Sequence, residues 1–236
     1  MKIEIWSDFA CPFCYIGKKR FENALAKFAH KEQVEVIYKA YQLNPNAPKK
    51  MSGSAYESFA KGHGMSVEQA KQRFKMFTEN AKTVGLVYDY DHIQMTNTFD
   101  AHRLAKWANT FAEEAKLTDR FMKAYFTEGK NLADYSTLLD LVAELGLNVT
   151  EAKTVLESGK YSLEVRGQID EAKQIGVQGV PFFVINRKYG VSGAQAEETF
   201  AQALAQIYQE EQPLQTLAQD DAGLCNDEHC EIPHKK

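Results

Sequence analysis

The most constraining feature of the sequence is Cys11-Pro12-Phe13-Cys14, set between a strand pattern and a helix pattern. Upstream, Lys2 to Trp6 alternates polar and apolar residues, which is the period of a strand. Ser7-Asp8-Phe9-Ala10 reads as a turn. Downstream, Ile16, Phe21, Leu25 and Phe28 recur at near-helical spacing to about Ala29. Pro12 falls in the first helical turn, where its missing N–H costs nothing. Val34 to Tyr38 reads as a second strand. The spacing therefore puts both sulfurs in the first turn of a helix. Unsatisfied N–H groups and the positive end of the helix dipole favour a thiolate there, which makes Cys11 the expected nucleophile. Cys14, one turn further in, is expected to be more buried and to resolve a mixed disulfide formed at Cys11. Lys18 and Lys19 are expected to point to solvent. An inert reduced pair and half of a zinc site are the competing readings of this spacing.

The remaining two cysteines, Cys225 and Cys230, are also close, in C-N-D-E-H-C. A chain of 236 residues, 44% hydrophobic and 25% charged, buries about 72% of its unfolded surface when it folds as one unit. Disulfide staples are not needed for stability. Closing so short a loop would stabilise by only about 2 kcal/mol, against about 5 kcal/mol for joining the chain ends. Close pairs suit redox or metal chemistry better. The net charge of −4 and the pI of about 5.9 argue against a broad nucleic-acid surface. The longest stretch without Asp, Glu, Lys or Arg, Gln174 to Asn186, contains Pro181. It is far shorter than the ~20 residues of a membrane span. The N-terminus has no apolar export segment. The expected compartment is the cytoplasm, with no membrane partner.

Beyond the linker Asn44-Pro45-Asn46-Ala47-Pro48, no convincing strand appears until residue 179. Ser66 to Gln69 fits a capping box opening a helix. Further helical stretches centre on Phe99–Phe111, Leu117–Phe126, Ser136–Leu145, Glu151–Glu157 and Tyr161–Gly176, punctuated by Gly129, Gly146 and Gly159. Gly179 to Ile185 is a buried strand led by Pro181, a position where strands tolerate proline. Tyr189 to Ser192 suits a next strand. Glu197 to Tyr208 suits a closing helix, ended by Pro213. Gln219 to Lys236 is a polar, acidic tail. The order implies an α/β core with a helical insertion: residues 1–45 and 160–211 form the core, 46–159 the insertion and 212–236 the tail. No G-x-G-x-x-G follows the first strand, so a dinucleotide-binding fold is excluded.

Taken together, C-x-x-C after the first strand, a helical insertion and a late Gly179-Val180-Pro181-Phe182-Phe183 strand resemble the thioredoxin superfamily in its DsbA-like arrangement. Ser7 to Lys18 resembles the FrnE branch, which is grouped with 2-hydroxychromene-2-carboxylate isomerases. So do Asn97-Thr98 with Ala101-His102-Arg103-Leu104, Ala124 to Gly129, and Gly179 to Phe183 with Gly190 to Gln195. The resemblance covers roughly residues 3–210. It implies a thioredoxin fold with a large all-helical insertion. It also implies a cis peptide at Pro181 facing the cysteines, and Val180 main-chain groups that pair with an extended peptide or with glutathione. Isomerase and kappa-class glutathione transferase relatives use Ser at the first cysteine position. Here Cys11 and Cys14 are both thiols, which favours dithiol–disulfide exchange.

The expected function is a thiol–disulfide oxidoreductase or isomerase acting on a disulfide- or thiol-bearing protein or small thiol. It needs no tightly bound cofactor or metal, glutathione is a candidate co-substrate, and the state is a monomer or homodimer. The alternatives are a glutathione-dependent isomerase or transferase of a small aromatic substrate, and a non-enzymatic peptide-binding chaperone or metal-binding module. Asn97, Thr98, His102 and Arg103 either line the cleft or serve helix capping and surface. Ser192 and Gly193 either bind a γ-glutamyl carboxylate or make a plain turn. Phe74, Phe77, Trp107, Phe111, Phe121, Tyr125 and Phe126 suit helical core, with some lining an apolar groove. Some FrnE-like proteins carry a similar C-x4-C tail, so Cys225 and Cys230 suit an electron relay to the first pair. Zinc binding with His229 and His234, a passive local disulfide and an unused tail remain open.

Overall fold

The computed structural model describes residues 1–212, together with residues 224–225 and 230–231 of the tail. A four-stranded mixed sheet has the order β2-β1-β3-β4. Strands β1 (Lys2–Ser7) and β2 (Glu35–Ala40) run parallel across helix α1 (Pro12–Lys27). Strand β3 (Phe182–Ile185) lies antiparallel against the other edge of β1, and β4 (Tyr189–Ser192) antiparallel against β3. Between β2 and β3 the chain is helical: α2 (Ala55–His63), α3 (Val67–Lys82), α4 (Phe99–Asn109), α5 (Glu114–Phe126), α6 (Tyr135–Glu144), α7 (Val149–Glu157) and α8 (Ser162–Gln174). Helix α9 (Glu197–Glu210) follows the sheet. This is a thioredoxin fold with a helical insertion.

Ile3 and Ile5 of β1 pack with Phe21, Phe183, Phe200 and Leu204, so α1 and α9 cover one face of the sheet. The opposite face meets α8. Trp6 and Val184 pack on Ala172, and the Trp6 indole N–H donates to Gln168 O at 2.9 Å. The alternation of β1 suggests one wet face, yet both faces are buried, and Glu4 is 2% exposed. Its charge is matched by Lys39 at 3.2 Å and by Arg187. A buried carboxylate is tolerated only when paired in this way.

Helix α2 was not foreseen, although its capping box is present: Ser54 N–H donates to Glu57 at 2.8 Å and Glu57 N–H to the Ser54 hydroxyl at 3.2 Å. The lysines of α1 correct the sequence expectation. Lys18 is 3% exposed and lies 2.5 Å from Glu22 and 3.2 Å from Asp119 of α5. Lys19 reaches Asp119 at 2.6 Å. The reason is distant in sequence: α5 packs along α1 and brings an acid to both.

This ion cluster fastens the insertion to α1. Burial raises the Asp119 carboxyl, but Lys18 and Lys19 outweigh it and hold the carboxyl below its ordinary value. Its contribution to stability is therefore full above its unfolded value of about 3.9. It is lost as pH falls through the lower folded value. Asp119→Ala is expected to cost roughly 1–2 kcal/mol at neutral pH, read by urea unfolding. The difference from wild type should shrink below about pH 4.

Candidate active site

Strand β1 ends at Ser7 and the chain turns over the next residues, with Cys11 N–H donating to Asp8 O at 3.1 Å. Cys11 caps α1 in an extended conformation, and Pro12 opens the helix. Both cysteines are free thiols; Cys11 is 4% exposed and Cys14 1%. Burial pushes the Cys14 thiol well above the ordinary cysteine range, and the neighbouring Cys11 sulfur adds to this. Hydrogen bonds to the Ser7 hydroxyl and the Asp8 main chain act the other way.

The second wall comes from the late strand. The Val180–Pro181 peptide is cis. Phe182 pairs with Trp6, so the residues just before β3 run up to the tip of the β1–α1 loop. There the Cys11 thiol donates to Val180 O at 3.4 Å. On the far side, Gly193 N–H donates to Pro181 O at 2.8 Å. Helix α1 can approach this loop because position 17 is glycine. A Cβ there would stand 2.9 Å from Pro181 Cγ and 3.3 Å from Ala194 Cα.

A buried carboxylate braces the loop. Asp8 is 1% exposed. It accepts from Leu43 N–H at 2.7 Å, the Thr98 hydroxyl at 2.7 Å and Ala10 N–H at 3.4 Å. His102 Nε2 lies 3.4 Å from the same carboxylate. The adjacent Phe9 ring packs on the His102 ring at 4.5 Å and on Phe121 at 5.6 Å. From the insertion, the Tyr88 hydroxyl donates to Pro12 O at 2.7 Å. Phe13, 37% exposed, meets Phe77 edge-on at 5.3 Å.

The structure thus brings Cys11, Cys14, Val180 and Pro181 together. Ser192 is exposed at the end of β4, next to the Gly193–Pro181 contact. Thr98 and His102 face inward to Asp8. Asn97 binds the linker: its side chain meets Gln42 at 2.9 Å, Pro45 O at 3.0 Å and Phe99 N–H at 2.9 Å. Arg103 is buried against Asp100 and the last carbonyls of α7. Cys225 and Cys230 are register partners in the short strands β5 (Leu224–Cys225) and β6 (Cys230–Glu231). Their side chains, and residues His229 and His234, lie outside the described residues. Asp8, Gly17 and Tyr88 escaped the sequence reading. Only the S-D-F-A-C run beside the cysteines pointed toward Asp8. Among the described residues, no group of three or more His, Cys, Asp or Glu is placed to hold a metal. No helix there is long and apolar enough to cross a membrane.

Comparison with known proteins identifies the family and the fold. The family described as DSBA-like thioredoxin domain matches residues 2–205. The structure of a probable DsbA oxidoreductase from Streptomyces coelicolor is 39% identical, with a TM-score of 0.85 over 99% of this chain and 100% of that one. A 2-hydroxychromene-2-carboxylate isomerase shares the fold at 17% identity and TM-score 0.66, over 89% of this chain and 97% of that one. So does the cytosolic disulfide reductase DsbM of Pseudomonas aeruginosa with GSH, at 16% identity and TM-score 0.64, over 88% and 100%.

Gly17→Ala tests the close approach of helix and loop. The added methyl must displace Pro181 or Ala194, so a loss of roughly 1–3 kcal/mol is expected. Thiol-exchange rates should fall with it, measured against a control Gly159→Ala, where nothing stands within 4 Å.

Proposed function

The chain belongs to the DSBA-like thioredoxin domain family, and on that footing we propose that it exchanges disulfides through Cys11 and Cys14. The observation that carries this reading is the Cys11 thiol lying 3.4 Å from Val180 O beside the cis proline, with Cys14 buried behind it. The Cys11 thiolate attacks one sulfur of a substrate disulfide. A mixed disulfide forms and the other substrate sulfur leaves as a thiolate, which takes up a proton. Cys14 then loses its proton and attacks the Cys11 sulfur. That step expels the second substrate thiolate and leaves a Cys11–Cys14 disulfide. Two electrons have passed from protein to substrate, and the reverse sequence oxidises a dithiol. Val180 and Pro181 align the substrate main chain beside the reacting sulfur, in the manner of strand addition. No tightly bound cofactor is needed, and a thiol such as glutathione completes the cycle.

Two thiols also separate this reading from glutathione-dependent isomerisation, which needs only one bound thiolate. Cys11→Ala is expected to reduce insulin reduction to background. Cys14→Ala should accumulate a mixed disulfide, visible by mass. Full activity of Cys11→Ala overturns the reading. Tolerance of Cys14→Ala with turnover of an aromatic substrate on substoichiometric glutathione favours the isomerase instead. The reduction potential of the Cys11–Cys14 couple sets the working direction: about −270 mV marks a reductase and about −120 mV an oxidant.

The raised Cys14 thiol adds a pH signature. Its thiolate fraction grows tenfold per pH unit below its pKa. Release of the mixed disulfide should therefore still be accelerating at about pH 9, beyond the ordinary cysteine value of about 8.5. Single-turnover kinetics from pH 6 to 10 check this.

A further inference from the structure

Among the described residues, two buried side-chain oxygens lack a hydrogen-bond partner, the Tyr90 hydroxyl and Glu114 Oε1. Glu114 has the Lys106 ammonium beside it. Tyr90 has no such neighbour. The residue is 8% exposed, and its ring is fixed, stacked on Phe74 at 4.0 Å and edge-on to Tyr88 at 6.0 Å. Buried polar groups in native proteins are hydrogen-bonded, so an exception calls for a water or a ligand. Tyr90 stands in the wall of a small apolar pocket of about 40 Å³, shared with Pro12, Phe59, Phe77, Met95 and Tyr125. Pro12 lies between the two cysteines, so the pocket adjoins the redox pair.

We infer that this pocket is a side-chain subsite for the disulfide substrate, and that it takes a tyrosine ring next to the reacting cysteine, with the Tyr90 hydroxyl bonding the phenol oxygen. The inference rests on the disulfide-exchange reading of the same site and adds the substrate class. The pocket is smaller than sites for drug-sized ligands, so it admits one planar ring at most. The walls carry no charged side chain, so a charged residue would be desolvated without compensation. Aromatic walls offer a ring edge-to-face or offset contacts. Phenylalanine fits by shape but leaves the Tyr90 hydroxyl unpaired. A site built to bond a substrate hydroxyl discriminates against the analogue that lacks it. A peptide already held at Cys11 and Val180 presents its neighbouring side chain at high effective concentration, so a modest pocket suffices.

The test uses short disulfide-linked peptides that differ only in Tyr, Phe or Ala beside the cysteine. For the wild-type chain, kcat/KM should favour Tyr over Phe by about tenfold, with Ala lowest. In Tyr90→Phe, the Tyr-to-Phe ratio should collapse to about one, with circular dichroism confirming the fold. In parallel, binding of 4-methylphenol and toluene is followed by ligand-observed NMR. The phenol should bind better to wild type, and the advantage should vanish in Tyr90→Phe. Equal kcat/KM for all three peptides, with exchange proceeding, overturns the subsite and leaves the proposed function standing. Tyr90-dependent binding of 4-methylphenol together with equal peptides overturns the tyrosine assignment in favour of a free small phenol. Tyr90-dependent binding without exchange of any disulfide keeps the pocket and removes the exchange reading.

Discussion

The arrangement depends on one buried carboxylate. Asp8 leaves water almost completely, which is unfavourable unless every lone pair is answered. The answers come from separate parts of the chain: Ala10 in its own loop, Leu43 after β2, and Thr98 and His102 at the start of α4. One side chain therefore holds the turn before Cys11, the segment after β2 and the start of α4 in a single geometry. Hydrogen bonds to a charged acceptor are stronger than neutral ones, so this junction resists movement beside Cys11. The Tyr88 bond to Pro12 O completes the frame from the other side.

The same logic recurs wherever charge enters the interior. Glu4 is answered by Lys39 and Arg187 on the α8 side of the sheet. Lys18 is answered by Glu22 and Asp119 along α5. Lys106 meets Glu114 and donates to Tyr38 O at 2.6 Å. Lys39 and Arg187 also reach Glu171 of α8, Asp119 links α1 to α5, and the Lys106 bond to Tyr38 links α4 to β2. Apolar packing holds the layers together, and these ions set how they are rotated and registered. Around the cysteines the balance differs. Cys14 has the Ser7 hydroxyl and the Asp8 main chain beside it, but burial outweighs them and keeps the sulfur a thiol.

Much of this was legible in the sequence because the signals were local. The C-x-x-C junction, the strand–helix–strand opening, the capping box at Ser66 and the proline-led β3 each follow from neighbours within a few residues. What was not legible depends on distant partners. Lys18 reads as surface because its acid, Asp119, is 101 positions away. Asp8 reads as a turn residue because Leu43, Thr98 and His102 cannot be assigned to it from spacing. Gly17 carries no local signal, yet a Cβ there would stand 2.9 Å from Pro181 Cγ. Glu4 fits a half-wet strand until α8 covers the outer face. Helix α2 had its capping signal but was too short for periodicity to register.

Cys11 and the Val180 carbonyl that receives its thiol are separated by 169 positions. Sheet position β1 fills both neighbours, one from the next few dozen residues and one from beyond the whole insertion. As the chain is synthesised, Cys11 emerges early and Val180 emerges late. Until residue 180 is made, the carbonyl that accepts from the Cys11 thiol does not exist. The surroundings of Cys11 are therefore a property of the finished chain, complete only once β3 has paired with β1.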